Sequence, residues 1–130
     1  MIVADASALI DLLLESEVRT RLEQRLLSGE ESLHTPHVVD LEVAHTLRRL
    51  VLTGVLSSER AEVALADMAD LQLNRYPHVE LVPRVWELRD TLTAYDATYV
   101  ALAEALEATL VTRDARLARS SGHQARVELL

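Results

Sequence analysis

The chain has 130 residues, no cysteine, and 21 acidic against 13 basic residues for a net charge of −8. That length suits one compact domain spanning residues 1–130, and the absence of cysteine removes disulfides, thiolate zinc sites and cysteine nucleophiles together. Every basic residue is arginine, so chemistry that needs a titratable amine is excluded, and the acidic balance argues against nucleic-acid binding driven by bulk charge.

No run approaches the roughly 18 apolar residues of a membrane span, and the N-terminus lacks a basic region ahead of a leader-like core, so a cytoplasmic protein is expected. Ile2 to Asp5 is short, apolar and β-branched, like a buried parallel strand. Ala6 to Leu14 follows at once with Leu9, Ile10, Leu13 and Leu14 at helical spacing, so a strand runs straight into a helix. A second helix is expected from a cap at Ser16 to about Leu27, closed by Gly29, and a short strand over Ser32 to Thr35. Pro36 opens a longer helix from Val38 to about Thr53, striped by Val39, Val43, Leu47, Leu50 and Val51 and ended by Gly54.

Ser57-Ser58-Glu59 starts the next helix, to about Leu71. Between Gln72 and Pro83 strand and helix both fit, because Val79 and Leu81 alternate while Pro77 and Pro83 interrupt a long helix. Val85 to Leu92 reads as a helix, and Tyr95-Asp96 opens another to about Ala108. Thr109 to Thr112 is a compact β-rich run, Asp114 to Ser120 a short helix closed by Gly122, and Val127 to Leu129 a last edge strand. Strands separated by helical segments specify an α/β sandwich, three-layered, with a mostly parallel central sheet flanked by helices.

Ligands in such sheets bind beyond the carboxyl ends of strands, where Asp5 and Asp114 both fall. Two more acids occupy comparable places: Glu42, early in the helix after Pro36, and Asp96, at the start of "YDATYVALA". Each has an ordinary explanation. Asp5, Asp96 and Asp114 suit helix caps, and Glu42, beside apolar residues at 38, 39, 41, 43 and 44, sits at a boundary between a buried and a solvated face. Asp11 reads as a surface acid. Together the four differ from caps, because carboxylates about 4 Å apart repel by roughly 4 kcal/mol at an effective dielectric of 20. A divalent cation relieves that repulsion, and an all-oxygen ligand set favours Mg²⁺ or Mn²⁺ over zinc. The five histidines show no H-x-x-x-H or H-E-x-x-H spacing, and there is neither a G-x-S-x-G elbow nor a glycine-rich phosphate loop.

"MIVADASALIDLLL", "TPHVVDLEVAHTLRR" and "TAYDATYVALAEALEATLVTRDARLA", in that order along essentially the whole chain, resemble the PIN-domain family, and within it the VapC-type ribonuclease toxins of bacterial toxin–antitoxin systems. The resemblance implies that Asp5, Glu42, Asp96 and Asp114 form a catalytic, metal-binding acidic cluster, with Ser7 and Thr112 as accompanying hydroxyls. It implies Mg²⁺- or Mn²⁺-dependent hydrolysis of RNA phosphodiesters by a metal-activated water, a cognate antitoxin as inhibitor, and a homodimer.

An acidic site that holds a polyanion needs arginines at its rim. Arg113, Arg116 and Arg119, beside Asp114, are the first candidates for RNA contact, and Arg84 and Arg89 the second. Aromatic stacking is thinly provided for, and Tyr99 is expected to pack in the core. A phospho-accepting receiver is disfavoured by the absence of lysine, and a haloacid-type phosphatase because Ser7 stands where its second aspartate belongs. Two alternatives stay open at this point: the same fold as a catalytically inactive binding or assembly module, and a nuclease acting on DNA.

Overall fold

The computed structural model describes all 130 residues. Five strands, β1 (Ile2–Ala4), β2 (Leu33–Pro36), β3 (Leu73–Tyr76), β4 (Thr109–Thr112) and β5 (Arg126–Leu129), form one sheet in the order β3-β2-β1-β4-β5. All pairings are parallel. Seven helices connect them: α1 (Ala6–Leu13) and α2 (Arg19–Leu26), α3 (Val38–Leu52) and α4 (Ser58–Asp70), α5 (Val82–Glu87) and α6 (Ala94–Leu106), and α7 (Ala115–Ala118).

The central strand is the most apolar, and Ile2, Val3 and Ala4 are wholly buried, as a parallel strand covered on both faces requires. The chain moves outward from β1 through β2 to β3, then crosses back to β4 and β5 on the other side. Right-handed crossovers therefore place α1 to α4 over one face and α5 to α7 over the other. Strand order reverses at β1, so the crevice beyond the carboxyl ends of β1 and β4 is where such a sheet binds ligands. Registers Ile2↔Thr109 and Ala4↔Val111 bring Asp5 and Thr112 to that edge side by side.

Several boundaries differ from the sequence expectation. The second helix starts at Arg19, because the Ser16 hydroxyl donates to the Asp11 carbonyl and leaves the cap at Val18 without a side-chain bond. Pro36 ends β2, and the next helix begins two residues later. The ambiguous segment resolves as β3, a 3₁₀ turn (Val79–Leu81) and α5, so the helix expected over Val85 to Leu92 begins at Val82 and ends at Glu87. Pro83 lies in the first turn of α5, where a missing N–H breaks no helical bond. Leu41, taken with its apolar neighbours as a sign of burial, is 73% exposed, while Val39, Val43 and Leu47 carry the buried stripe of α3. The cap at Ser57 forms as expected, its hydroxyl accepting from the Arg60 N–H.

Candidate active site

Asp5 is the N-cap of α1, and the residue is 5% exposed. Oδ1 accepts from the Ser7 hydroxyl at 2.7 Å and the Ala8 N–H at 2.9 Å, and Oδ2 accepts from the Thr112 hydroxyl. The two hydroxyls are tied in turn to the chain around β4: the Arg113 N–H donates to Ser7 Oγ at 2.9 Å and the Asp114 N–H to Thr112 Oγ1 at 2.9 Å. Asp5, Ser7 and Thr112 thus form one closed network that welds the end of β1 to the end of β4. Burial pushes the Asp5 carboxyl up, its three hydrogen bonds pull it down, the charge on Asp96 adds to the upward push, and the balance is upward.

Glu42 projects half-buried from the second turn of α3, and its Oε1 accepts from the Tyr99 hydroxyl at 2.8 Å. Burial raises the Glu42 carboxyl, the Tyr99 donor lowers it, and the charges on Asp96 and Asp5 raise it further, for a net rise. Asp96 stands in the first turn of α6, whose cap is Thr93; the Thr93 hydroxyl accepts from the Asp96 N–H at 3.2 Å, so the carboxylate of Asp96 is not the capping group. Burial and then the charge on Asp114 push Asp96 up, against smaller opposing effects of Thr93 and Arg116.

Asp114 does cap α7. It takes the Arg116 N–H at 2.8 Å and has the Arg116 guanidinium 3.4 Å away; burial is the largest single effect and raises it, but the Arg116 N–H, guanidinium and charge together with the Leu117 N–H hold it below the usual carboxylate range. Each of the four acids thus carries or feels the charge of another member of the set. No three of them stand close enough to grip a single ion as the side chains are placed.

Glu42 and Asp96 line a groove of about 600 Å³ with Val38, Leu41, Thr93 and Tyr95. A hollow of about 550 Å³ at the opposite end of the sheet, around Arg84, Glu104 and Gln124, contains none of the four acids. The arginines divide accordingly. Arg113 is not free for a ligand, because its Nε donates to Asp11 at 2.8 Å and another guanidinium nitrogen to the Leu130 carbonyl. Asp11, which reads as a surface acid, is therefore the buckle that fastens α1 to the residue after β4. Arg84 is committed to Glu104 and Glu87, and Arg89 lies over the Trp86 ring at 4.7 Å. Arg116 and Arg119 remain exposed beside Asp114.

Tyr99 is the site residue that sequence reasoning missed. It is 1% exposed, as a core residue should be, yet its hydroxyl reaches Glu42. The available signal is its spacing, three residues after Asp96 on one helix face.

A model of the PIN domain matches residues 2–122. This chain belongs to the PIN domain family. Within the family it stands with the VapC ribonucleases: Ribonuclease VapC9 of Mycobacterium tuberculosis is 48% identical over 117 residues, 90% of this PIN chain and 88% of that protein. Ribonuclease VapC1 of the same species is 42% identical over 129 residues, 98% of this chain and 96% of that protein. Among solved structures, VapC20 of Mycobacterium tuberculosis, a sarcin–ricin loop cleaving toxin, superposes with a TM-score of 0.71 at 17% identity, covering 91% of this chain and 93% of that one. VapBC2 from Rickettsia felis, bound to a promoter DNA fragment, superposes with a TM-score of 0.72 at 15% identity, covering 99% and 98%. At those identities the solved structures establish the fold alone.

Proposed function

We propose that this PIN chain is an endoribonuclease and the toxin of a toxin–antitoxin pair, cutting RNA phosphodiesters at the crevice beyond β1 and β4 with the help of Mg²⁺ or Mn²⁺. The observation that carries the reading is the frustrated charge there: burial pushes Asp5, Glu42 and Asp96 each up, Asp96 adds to the push on Asp5, Asp96 and Asp5 to that on Glu42, and Asp114 to that on Asp96, and the exposed Arg116 opposes the rise only at Asp96. Such a set suits a hard divalent cation. Mg²⁺ keeps several of its waters, so carboxylates can also meet it through coordinated water, and a ready-made cage of three direct ligands is not required.

Asp5 and Asp96 would hold the ion, with Glu42 and Asp114 completing the oxygen set. When bound, the ion supplies a lowered pKa for a coordinated water and a counter-charge for the phosphate. Ser7 and Thr112 keep the Asp5 carboxylate in one orientation. Glu42, held by Tyr99 at one oxygen, keeps its second oxygen available to the ion. Arg116 and Arg119 are placed to contact the RNA backbone beside Asp114.

The relatives named as ribonucleases support the reaction, and solved neighbours described as toxin–antitoxin complexes support an antitoxin partner for this chain. A cytoplasmic location follows from an RNA substrate, and no helix is long and apolar enough to cross a membrane. The whole chain acts as one nuclease domain. A homodimer fits the exposed apolar face that Val82, Trp86 and Tyr95 share, since patches of that kind mark subunit contacts. The test is incubation of the purified protein with a cellular RNA pool and Mg²⁺, with cut ends mapped. Wild type is expected to leave defined ends that disappear with EDTA and in Asp5→Asn; ends shared equally by Asp5→Asn would overturn the assignment.

A further inference from the structure

Helix α6 carries two groups that point to the acidic crevice from one face. Asp96 lies in its first turn, and Tyr99, three residues on, is buried with only its hydroxyl reaching a polar partner. That partner, Glu42, belongs to α3, which the crossover geometry places over the other face of the sheet. The Tyr99–Glu42 hydrogen bond at 2.8 Å therefore spans the crevice and ties the two helices that carry Glu42 and Asp96.

We infer that Tyr99 is a positioning residue that aims the Glu42 carboxylate at the metal position. The inference rests on the metal-holding role of Glu42 proposed above. Three features support it. The ring is locked in the core, so the donor is placed by packing and not by a flexible stem. The hydroxyl engages Oε1 alone, and Oε2 has no protein donor, which leaves one oxygen for an ion. A phenol is also uncharged, so it orients the carboxylate without cancelling the negative charge that attracts a cation; a guanidinium in the same place would compete with the metal. The Asp5 carboxylate is held on the same principle, by hydroxyls and an N–H instead of a cation.

The experiment is Mn²⁺ titration of metal-free protein by calorimetry and by electron paramagnetic resonance, comparing wild type, Tyr99→Phe, Glu42→Gln and the double variant. Tyr99→Phe keeps the ring and removes one oxygen, and is expected to weaken Mn²⁺ binding by roughly tenfold, the low end of what losing an outer partner of a ligand costs. Its far-ultraviolet circular dichroism should match wild type. In the Glu42→Gln background the same change is expected to cost nothing further, because its target carboxylate is gone. Glu42→Asp, which retains a carboxylate but draws it back from the phenol, is expected to lose affinity as Tyr99→Phe does, with the core untouched. Wild-type Mn²⁺ affinity in Tyr99→Phe, or an equal loss with and without Glu42, would overturn the role of Tyr99. Wild-type affinity in Glu42→Gln and Asp96→Asn alike would instead overturn the metal site itself.

Discussion

Thr112→Val is the substitution whose cost can be worked out most directly. Valine matches threonine in shape, and residue 112 is wholly buried, so the change deletes a hydroxyl without opening a cavity. The hydroxyl donates to the buried Asp5 carboxylate and accepts from the Asp114 N–H. A hydrogen bond to a charged group contributes about 1.5–3 kcal/mol and a neutral one about 0.5–1.5 kcal/mol, so the loss is about 2–4.5 kcal/mol. With an unfolding entropy near 2.1 cal/mol/K per residue, a 130-residue chain loses about 7–16 °C in Tm. The assay is calorimetric melting at pH 7.5 in EDTA, which removes any contribution from metal. Repeating it in Asp5→Asn isolates the charged part, where the cost should fall by roughly half because the remaining bond is neutral. A drop below about 3 °C, or the same cost in both backgrounds, would show that the Asp5–Thr112 bond does not hold β1 and β4 together.

Two further outcomes are expected. The folded-state pKa of Asp96 lies above its unfolded value of 3.8, so the folded chain binds that proton more tightly and wild type gains stability as pH falls through the raised pKa. In EDTA, the Tm of Asp96→Asn minus that of wild type should therefore grow between pH 4.5 and 7.5. The subtraction cancels His34, whose pKa burial lowers and which acts in the opposite direction; a flat or shrinking difference contradicts the repulsion. In the inactive Asp5→Asn protein, Arg116→Ala and Arg119→Ala should weaken RNA binding and flatten its salt dependence, whereas Arg84→Ala should leave it unchanged and Arg113→Ala should lower Tm through loss of the Asp11 pair. RNA affinity that responds to Arg84 and not to Arg116 would place the binding face elsewhere.

How much was legible in the sequence depended on whether the information was local. The run "TLVT" specified β4 residue for residue, and Ser57 specified its cap, because period and capping chemistry act over a few neighbours. The helix after Pro77 was misplaced because Pro83 breaks a helix in its middle but suits its first turn, and only the position of the 3₁₀ turn before it decides which applies. The arginines show the same divide: Arg113 and Arg116 are equivalent in sequence, but Arg113 has an acid 102 residues away and Arg116 does not.

The sequence by itself determined the absence of thiolate and amine chemistry, the alternation of strands and helices, and the two aspartates, Asp5 and Asp114, at the junctions where β1 and β4 run into helices. Composition excludes thiolates and amines, and a strand that runs into a helix places its junction residue by covalent connection alone. Only the tertiary structure decided that Ser7 and Thr112, 105 residues apart, close on one carboxylate, that Asp11 fastens Arg113, and that Tyr99 holds Glu42. Those contacts depend on the order of strands and the facing of helices across the sheet, which long-range packing selects and no local pattern encodes.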